Sequence, residues 1–208
     1  MSPRPKTVSD DEVFAAAHRA MTERGPGELT LQHIAAEAGV TPGRLVQRFG
    51  SKRALLLALS ARFAGGAEVL FAALGRNQTS PLATLRAYGG CMAGLASSPD
   101  AVARNLAYLH IDLTDAEFRV PLVQNAVATR RHLERLVKAA VAAGEVRSET
   151  RPAVLARLFD TVVSGSLMTW ACHQDGPAAA WIGRDLEAAL APYLTPRAAR
   201  LRPSARRR

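Results

Sequence analysis

The sequence predicts an all-α fold, and three observations lead to this class. Alanine and leucine, which are strong helix formers, are abundant along all 208 residues. Apolar residues recur three and four positions apart, whereas the alternation typical of strands is nowhere convincing. N-capping residues precede many of the apolar stretches. We therefore expect about nine helices, arranged as an N-terminal three-helix domain and a larger helical C-terminal domain.

The first helix is predicted to begin after Ser9 and to end near Arg24. Ser9 and Glu12 have the spacing of a capping box, in which each side chain binds the other residue's backbone N–H. Val8 and Val13 are placed as a hydrophobic staple, and further apolar residues follow at helical spacing. This helix is expected to support the two helices that come next.

Two short helices with a sharp turn between them are predicted next. Thr30 is a good N-cap for the first of them. Gly39 suits the left-handed conformation in which a chain leaves a helix, and Thr41 caps the second helix with Pro42 at its first position. Ser51 then caps a third helix. This order of caps and turns is that of a helix-turn-helix, a motif that presents a short helix to the major groove of DNA.

The second short helix, residues 42–49, is predicted to expose a basic and amide-bearing face. Leu45 and Phe49 are four positions apart and point inward, which leaves Arg44 and Gln47 on the opposite side. An arginine pairs with guanine edges or phosphates, and a glutamine pairs with adenine. No acidic residue occurs from position 38 to position 67. The segment therefore favours a polyanionic partner.

Other residues of this segment are suited to the DNA backbone. Gly43 lets the main chain approach a phosphate closely, and the helix that begins after Ser51 offers free N–H groups with Lys52 beside them. Arg4 and Lys6 precede the first helix and are candidates for contacts with the backbone or the minor groove. The predicted DNA-binding residues are Thr30, Thr41, Pro42, Gly43, Arg44, Gln47, Arg48, Ser51, Lys52, Arg4 and Lys6. The alternative is that these are ordinary solvated charges on a three-helix unit.

Six further helices are predicted from caps, prolines and apolar spacing. They cover residues 52–74, 81–97, 99–109, 114–143, 152–173 and 177–193. Thr114 and Glu117 form another capping-box pattern at the start of the fourth of them. The last two carry long apolar stripes, which makes them candidates either for self-association or for packing on their own domain.

The first sixty or so residues of the chain resemble the tetracycline-repressor (TetR) family of bacterial transcription regulators. The resemblance is carried by Thr30, Ile34, Ala35, Ala38, Gly39, Val40, Phe49, Ser51, Lys52, Leu55 and Leu56. One position departs from the family pattern, because Val46 stands where the family usually has a tyrosine that often contacts the DNA backbone. We predict a helix-turn-helix DNA-binding domain at residues 1–52, a regulatory and dimerisation domain at 53–196, and a basic, disordered tail at 197–208.

The resemblance implies a transcription regulator, a repressor that binds a palindromic operator as a homodimer and is released by a small ligand. The predicted dimer interface consists of Leu158, Val162, Gly165, Ser166, Thr169, Ile182, Leu186, Leu190 and Tyr193. The predicted walls of an apolar ligand pocket are Tyr88, Met92, Asn105, Tyr108, His110, Phe118, Met168, Trp170 and His173. These side chains combine apolar bulk with a few polar tips, although each one also fits an ordinary core position.

Composition narrows the function classes further. Lys and Arg number 27 against 18 Asp and Glu, a net charge of +9 that favours nucleic acid or another anionic surface. The histidines are scattered and we find no catalytic or metal-binding motif, so we expect neither an enzyme nor a cofactor nor a metal site. Cys91 and Cys172 are expected as reduced core residues.

The start of the chain does not read as a signal peptide, and charges interrupt the apolar stretches. We therefore expect a cytoplasmic protein without a membrane span. The alternative function is an all-helical binding or scaffold protein whose basic face meets an acidic partner other than DNA.

Overall fold

The computed structural model describes residues 8–94 and 96–200, which form helices joined by turns. In chain order the helices are α1 (Asp10–Glu23), α2 (Leu31–Ala38), α3 (Pro42–Phe49), α4 (Lys52–Ala64), α5 (Gly66–Arg76), α6 (Pro81–Ala93), α7 (Pro99–Thr114), α8 (Ala116–Ala142), α9 (Pro152–His173), α10 (Ala178–Leu190) and α11 (Pro196–Arg200), with a 3-10 turn at Ala191–Tyr193. Across this part of the chain no strand forms, and extended pairing is limited to an isolated bridge between Val146 and Leu194. The predicted all-α class is confirmed.

The helices pack as two compact units. Unit 1 comprises residues 8–65 and 103–124, and unit 2 comprises residues 66–94, 96–102 and 125–200. Helices α7 and α8 therefore each contribute to both units. The domain limits predicted from the sequence differ from this division, because a local sequence pattern does not show with which helices a segment packs. Those limits stay predictions.

The core of unit 1 lies between α1, α2, α3 and α4. Its most deeply buried residues have 3% or less of their surface exposed, and they are Val13, Ala17, Ala20, Leu29, Ile34, Ala35, Leu45, Leu55 and Leu59. Tyr108 of α7 joins this core, and its hydroxyl donates to the carbonyl of Arg24 at 3.0 Å. The predicted capping box of α1 is confirmed, because Ser9 and Glu12 bind each other's backbone N–H.

The core of unit 2 is formed largely by α6, α8, α9 and α10. Phe159 and Ile182 each have 1% of their surface exposed. Gly89 allows α6 to approach α10 closely, because a Cβ at this position would collide with the side chain of Leu186. The packing of these helices therefore depends on the absence of a side chain at one position.

Two helix lengths predicted from the sequence are corrected by the structure. The helix expected over residues 52–74 is broken into α4 and α5 at Gly65. Gly65 and Gly66 have no side chain and favour the helical conformation less than other residues do. Helix α6 ends at Ala93 rather than near residue 97, because Gly94 follows and closes the helix.

The capping box predicted at Thr114 and Glu117 is wrong, and α7 continues as far as Thr114. The Thr114 hydroxyl donates to the carbonyl of His110 at 2.7 Å, which places it in the last turn of α7. Asp115, rather than Thr114, precedes α8, and the Asp115 carboxylate accepts the N–H of Glu117 at 3.0 Å. A threonine hydroxyl can bond either forward as a cap or back to the preceding turn, so the pattern alone was ambiguous.

The C-terminal segment also differs from the predicted tail in its first residues. The chain is helical in α11, where Ala198 is 3% exposed and belongs to the core of unit 2. Residues 201–208 lie outside the described part of the chain. Cys172 is exposed rather than a core residue, and Cys91 is half-buried.

Candidate nucleic-acid interface

Helix α3 is held on one side only. Leu45 is 1% exposed, and Phe49 is half-buried with its ring 5.8 Å from the ring of Phe14 in α1. The left-handed turn predicted before α3 is present, since Gly39 has a φ of 66°. The remaining residues of α3 are exposed. The helix therefore presents most of its side chains to the solvent.

Three hydroxyl side chains predicted to bind DNA serve as helix caps. Thr30, Thr41 and Ser51 each accept the backbone N–H of the residue three positions later, at 3.3, 3.3 and 3.1 Å. Pro42 occupies the first position of α3, as predicted. Each hydroxyl still has its own proton to donate. The caps therefore fix the starts of α2, α3 and α4 and remain able to donate to a phosphate oxygen.

Arg44 and Gln47 extend from the outer face of α3. Both side chains are exposed, and neither has a hydrogen bond or ion pair to a described residue. A Cβ added at Gly43 would meet nothing within 4 Å. Arg44 and Gln47 therefore keep their hydrogen-bonding groups available for a partner, and both side chains can pair with base edges. Two other predicted contacts, Arg4 and Lys6, lie outside the described residues.

Arg48 and Lys52, in contrast, bind the protein itself. The Arg48 Nη1 donates to the carbonyl of Val8 at 2.7 Å, and its guanidinium pairs with Asp10. The Lys52 Nζ donates to the carbonyl of Leu29 at 2.7 Å. These cations connect α3 to the start of α1, and α4 to the loop before α2. A role for either of them in DNA contact stays a prediction.

Arg53 forms a cluster that the sequence reasoning missed. Its guanidinium donates to both carboxylate oxygens of Asp115 at 2.9 and 2.7 Å, pairs with Glu117, and lies 5.4 Å from the ring centre of Phe118. The hydrogen bonds from Arg53 hold the pKa of the Asp115 carboxyl below its ordinary value. The two acidic partners are 62 and 64 positions away along the chain, so no local signal predicts the cluster.

The predicted ligand-pocket residues are divided between the two units. Asn105, Tyr108, His110 and Phe118 belong to unit 1, and Tyr88, Met92, Met168, Trp170 and His173 belong to unit 2. Tyr88 is buried with its ring 5.0 Å from Phe71 and 6.2 Å from Phe159. Burial raises the pKa of the Tyr88 hydroxyl and that of Tyr108, the latter to about 12. Asn105, His110, Met168 and His173 are exposed, and a shared cavity stays a prediction.

The residues predicted for a dimer interface also divide into two groups. Four of them are buried in the core of their own chain, at 4% exposed or less, and these are Ser166, Ile182, Leu186 and Leu190. Ser166 also donates to the Asp185 carboxylate at 2.7 Å. Gly165 and Thr169 are exposed, whereas Leu158, Val162 and Tyr193 are half-buried. The apolar stripe identified in the sequence is thus partly the inner face of α9 and α10 rather than an outer surface.

The sequence predicts neither a membrane-spanning helix nor a metal-binding site. No single helix among the described residues is long and apolar enough to cross a membrane, although α4 and α5 taken together meet the criteria of length and composition. Within the same residues no three His, Cys, Asp or Glu side chains come together in a way that could hold a metal ion.

Residues 13–59 match the family model described as bacterial regulatory proteins, tetR family. No curated protein matches the chain. Solved structures do match along most of its length. One is a TetR transcription regulator from Haloarcula marismortui, with a TM-score of 0.70 and 19% identity, covering 89% of this chain and 98% of that one.

Two further solved structures illustrate the range of similar proteins. The transcriptional regulator FadR from Bacillus subtilis, in complex with stearoyl-CoA, has a TM-score of 0.66 and 17% identity, covering 87% of this chain and 97% of that chain. SmeT, the repressor of the Stenotrophomonas maltophilia multidrug efflux pump SmeDEF, has a TM-score of 0.62 and 23% identity, covering 90% and 91% of the two chains.

These findings show that the chain has the all-α fold of solved TetR-family regulators and that residues 13–59 match the tetR-family helix-turn-helix model. The match over residues 13–59 confirms the resemblance to the TetR family that the sequence analysis predicted. The family and these structural neighbours are transcription regulators rather than enzymes.

Proposed function

We propose that the protein is a sequence-specific transcription regulator, a repressor that binds a palindromic operator as a homodimer and leaves it when a small molecule binds. The observation that carries this proposal is a contrast between the polar side chains of α3 and of the start of α4. Arg48 and Lys52 are bonded to the protein, whereas Arg44 and Gln47 are exposed without a described partner. Both of these free side chains have the chemistry that reads base edges.

The geometry of α3 suits the major groove. The groove is about 12 Å wide and admits a helix, whose side chains then reach base edges. An arginine can bind O6 and N7 of guanine in a bidentate manner, and a glutamine can do the same with N6 and N7 of adenine. The caps Thr41 and Ser51 lie at the starts of α3 and α4, where hydroxyl and N–H donors favour phosphates. Base reading and backbone anchoring are thus available side by side.

A dimer is supported by the length of α3 and by the outer surface of α9 and α10. An eight-residue helix contacts only a few base pairs, and a two-fold pair about 34–36 Å apart reads a palindrome with greater specificity. The outer face of α9 carries Val154, Gly165 and Met168, of which Val154 is 42% and Met168 45% exposed. Small residues are exposed on α10 as well, at Ala179, Ala180 and Gly183. Such a surface permits close helix packing.

Release by a small molecule is supported by the neighbours and by the aromatic content of unit 2. The FadR structure contains stearoyl-CoA. In the present chain Phe71, Tyr88 and Phe159 form a row of rings inside unit 2. Aromatic side chains of this kind are common in the walls of small-molecule sites.

The proposal is tested by selecting duplexes from a random-sequence library with the protein itself. Fluorescence anisotropy titrations then compare the enriched duplex with a scrambled one at several salt concentrations. The enriched sequences should be inverted repeats with half-sites about 10 base pairs apart. Arg44→Ala and Gln47→Ala should each weaken binding to the enriched duplex by roughly 5- to 150-fold, the equivalent of about 1–3 kcal/mol per lost base contact.

The control is Arg76→Ala, which removes an exposed arginine from the end of α5 in unit 2. This variant should bind the enriched duplex as the unaltered protein does. Equal binding of enriched and scrambled duplexes, with no effect of Arg44→Ala or Gln47→Ala, would contradict the proposal. That result favours the alternative of a helical scaffold with a basic face.

A further inference from the structure

Helix α3 carries a second exposed surface beside Arg44 and Gln47. It consists of Pro42, Gly43, Val46 and Gly50, which we call the apolar strip. At 100° per residue Pro42, Gly43 and Val46 fall within an arc of about 100° around the helix axis, and Gly50 follows at the C-terminal end of the helix. The outer part of α3 is thus divided lengthwise into a polar side and a side without hydrogen-bonding side chains.

The apolar strip is open to an approaching surface. A Cβ built at Gly43 or at Gly50 would meet nothing within 4 Å. Val46 lies between these two glycines and is 46% exposed. Since Gly43 and Gly50 have no side chains, the two methyl groups of Val46 extend beyond the surface on either side of them. A flat partner such as the edge of a base stack can therefore reach them.

The position of Val46 relative to the base-reading side chains defines what it would meet. Val46 and Gln47 are adjacent and lie about 100° apart around the helix axis, both on the exposed half of α3, so a groove that encloses this half contains both side chains. The groove floor offers nitrogen and oxygen donors and acceptors, together with one apolar group, the C5-methyl of thymine. A valine has no hydrogen bond to give to a base or a phosphate. The methyl group is the feature of the groove that matches its chemistry.

We propose that Val46 is a specificity-determining residue that contacts the C5-methyl group of a thymine in each operator half-site. The inference rests on the proposed DNA-binding function and adds to it the recognition of one base type. It also assigns a role to the position at which this chain departs from the tyrosine usual in the family. An apolar contact in the groove replaces a hydroxyl contact with the backbone.

The test uses the duplex enriched by the protein, with each thymine replaced in turn by deoxyuridine, which lacks only the C5-methyl group. Anisotropy titrations are performed on the unaltered full-length chain and on Val46→Ala. At one thymine per half-site, deoxyuridine should weaken binding of the unaltered protein by about fourfold, the value of one buried methyl group. Val46→Ala should weaken binding to the thymine duplex by a similar factor and should not distinguish thymine from deoxyuridine at that position.

Val69→Ala is the matched control, because Val69 in α5 of unit 2 is 66% exposed and lies outside the apolar strip. This variant should retain the full discrimination between thymine and deoxyuridine. The inference is overturned if no deoxyuridine duplex binds less tightly, or if Val46→Ala still discriminates at the same position. Either result leaves the proposed function intact, whereas failure to enrich any duplex overturns both. Thermal melting of Val46→Ala should match that of the unaltered protein, because alanine is a good helix former at an exposed site.

Discussion

Helices α3 and α9 show two different ways in which a helix is stabilised in this protein. α3 has eight residues, of which Leu45 is the buried one, and it depends on the Thr41 cap at its start. α9 has 22 residues, no side-chain cap bond and six buried residues, among them Phe159. Short helices are marginal because nucleation is costly, so local hydrogen bonds matter most where little surface is buried. A helix that leaves its side chains free for a partner is therefore one that relies on its caps.

The largest effect is expected for a change in the buried face of α9. Phe159→Ala should lower the free energy of unfolding by about 3–5 kcal/mol, because it removes an aromatic ring from a closely packed core. Urea denaturation followed by circular dichroism measures the change. Arg157→Ala in the same helix is the control, since Arg157 is exposed, and it should change stability by less than about 0.5 kcal/mol. Similar losses in both variants would contradict the contrast between α9 and α3.

A smaller effect is expected for the cap of α3. Thr41→Ala removes the acceptor of the Arg44 N–H and should cost about 1 kcal/mol. Amide hydrogen exchange should show the loss of protection mainly in α3. The control is Thr161→Ala, which alters an exposed threonine inside α9. Unchanged exchange in α3 would show that the helix does not depend on its cap.

The smallest effect is expected for the exposed cluster around Arg53. The pKa of Asp115 is lowered from 3.8 by the hydrogen bonds from Arg53, so the charged carboxylate is favoured in the folded state. Its stabilising contribution is complete above the unfolded pKa and is lost as the pH falls through the lower folded pKa. The stability difference between the unaltered protein and Asp115→Asn should therefore shrink as the pH is lowered from about 5 to about 2.

Chemical denaturation across this pH range measures the difference for Asp115→Asn. Added salt should reduce it at every pH, because the ion pair is exposed and screened. Asp175→Asn serves as a control for a general effect of removing a surface carboxylate, since Asp175 is exposed in the turn after α9. A difference that is constant with pH would show that the Arg53 cluster does not stabilise the folded state.

How far the sequence predicts the structure depends on the distance over which each signal acts. Thr30, Gly39, Thr41 and Ser51 act on residues within four positions, and each was predicted in its observed role. The partners of Arg48 and Arg53 lie far away along the chain, so their engagement within the protein was not predicted.

The short range of sequence signals also explains why the roles predicted for residues of α9 and α10 differ from their observed positions. Apolar spacing predicted which side chains share a face, but it does not say whether that face meets the chain's own core or a second subunit. Leu186 and Leu190 were assigned to an interface, and the structure places them in the core of unit 2. Of the candidate DNA-binding surface, the sequence predicted the helix and its exposed side chains, and only tertiary contacts distinguish Arg44 from Arg48.

The close approach of α6 and α10 at Gly89 has a consequence for how this sequence can vary. Because the end of the Leu186 side chain fills the space that a β-carbon at position 89 would need, a larger residue at position 89 requires Leu186 to move or to be replaced by a smaller residue. Homologous proteins with a larger residue at the first site should carry a smaller one at the second. In distantly related homologues, the residues at positions 89 and 186 should therefore indicate whether α6 and α10 are still in contact.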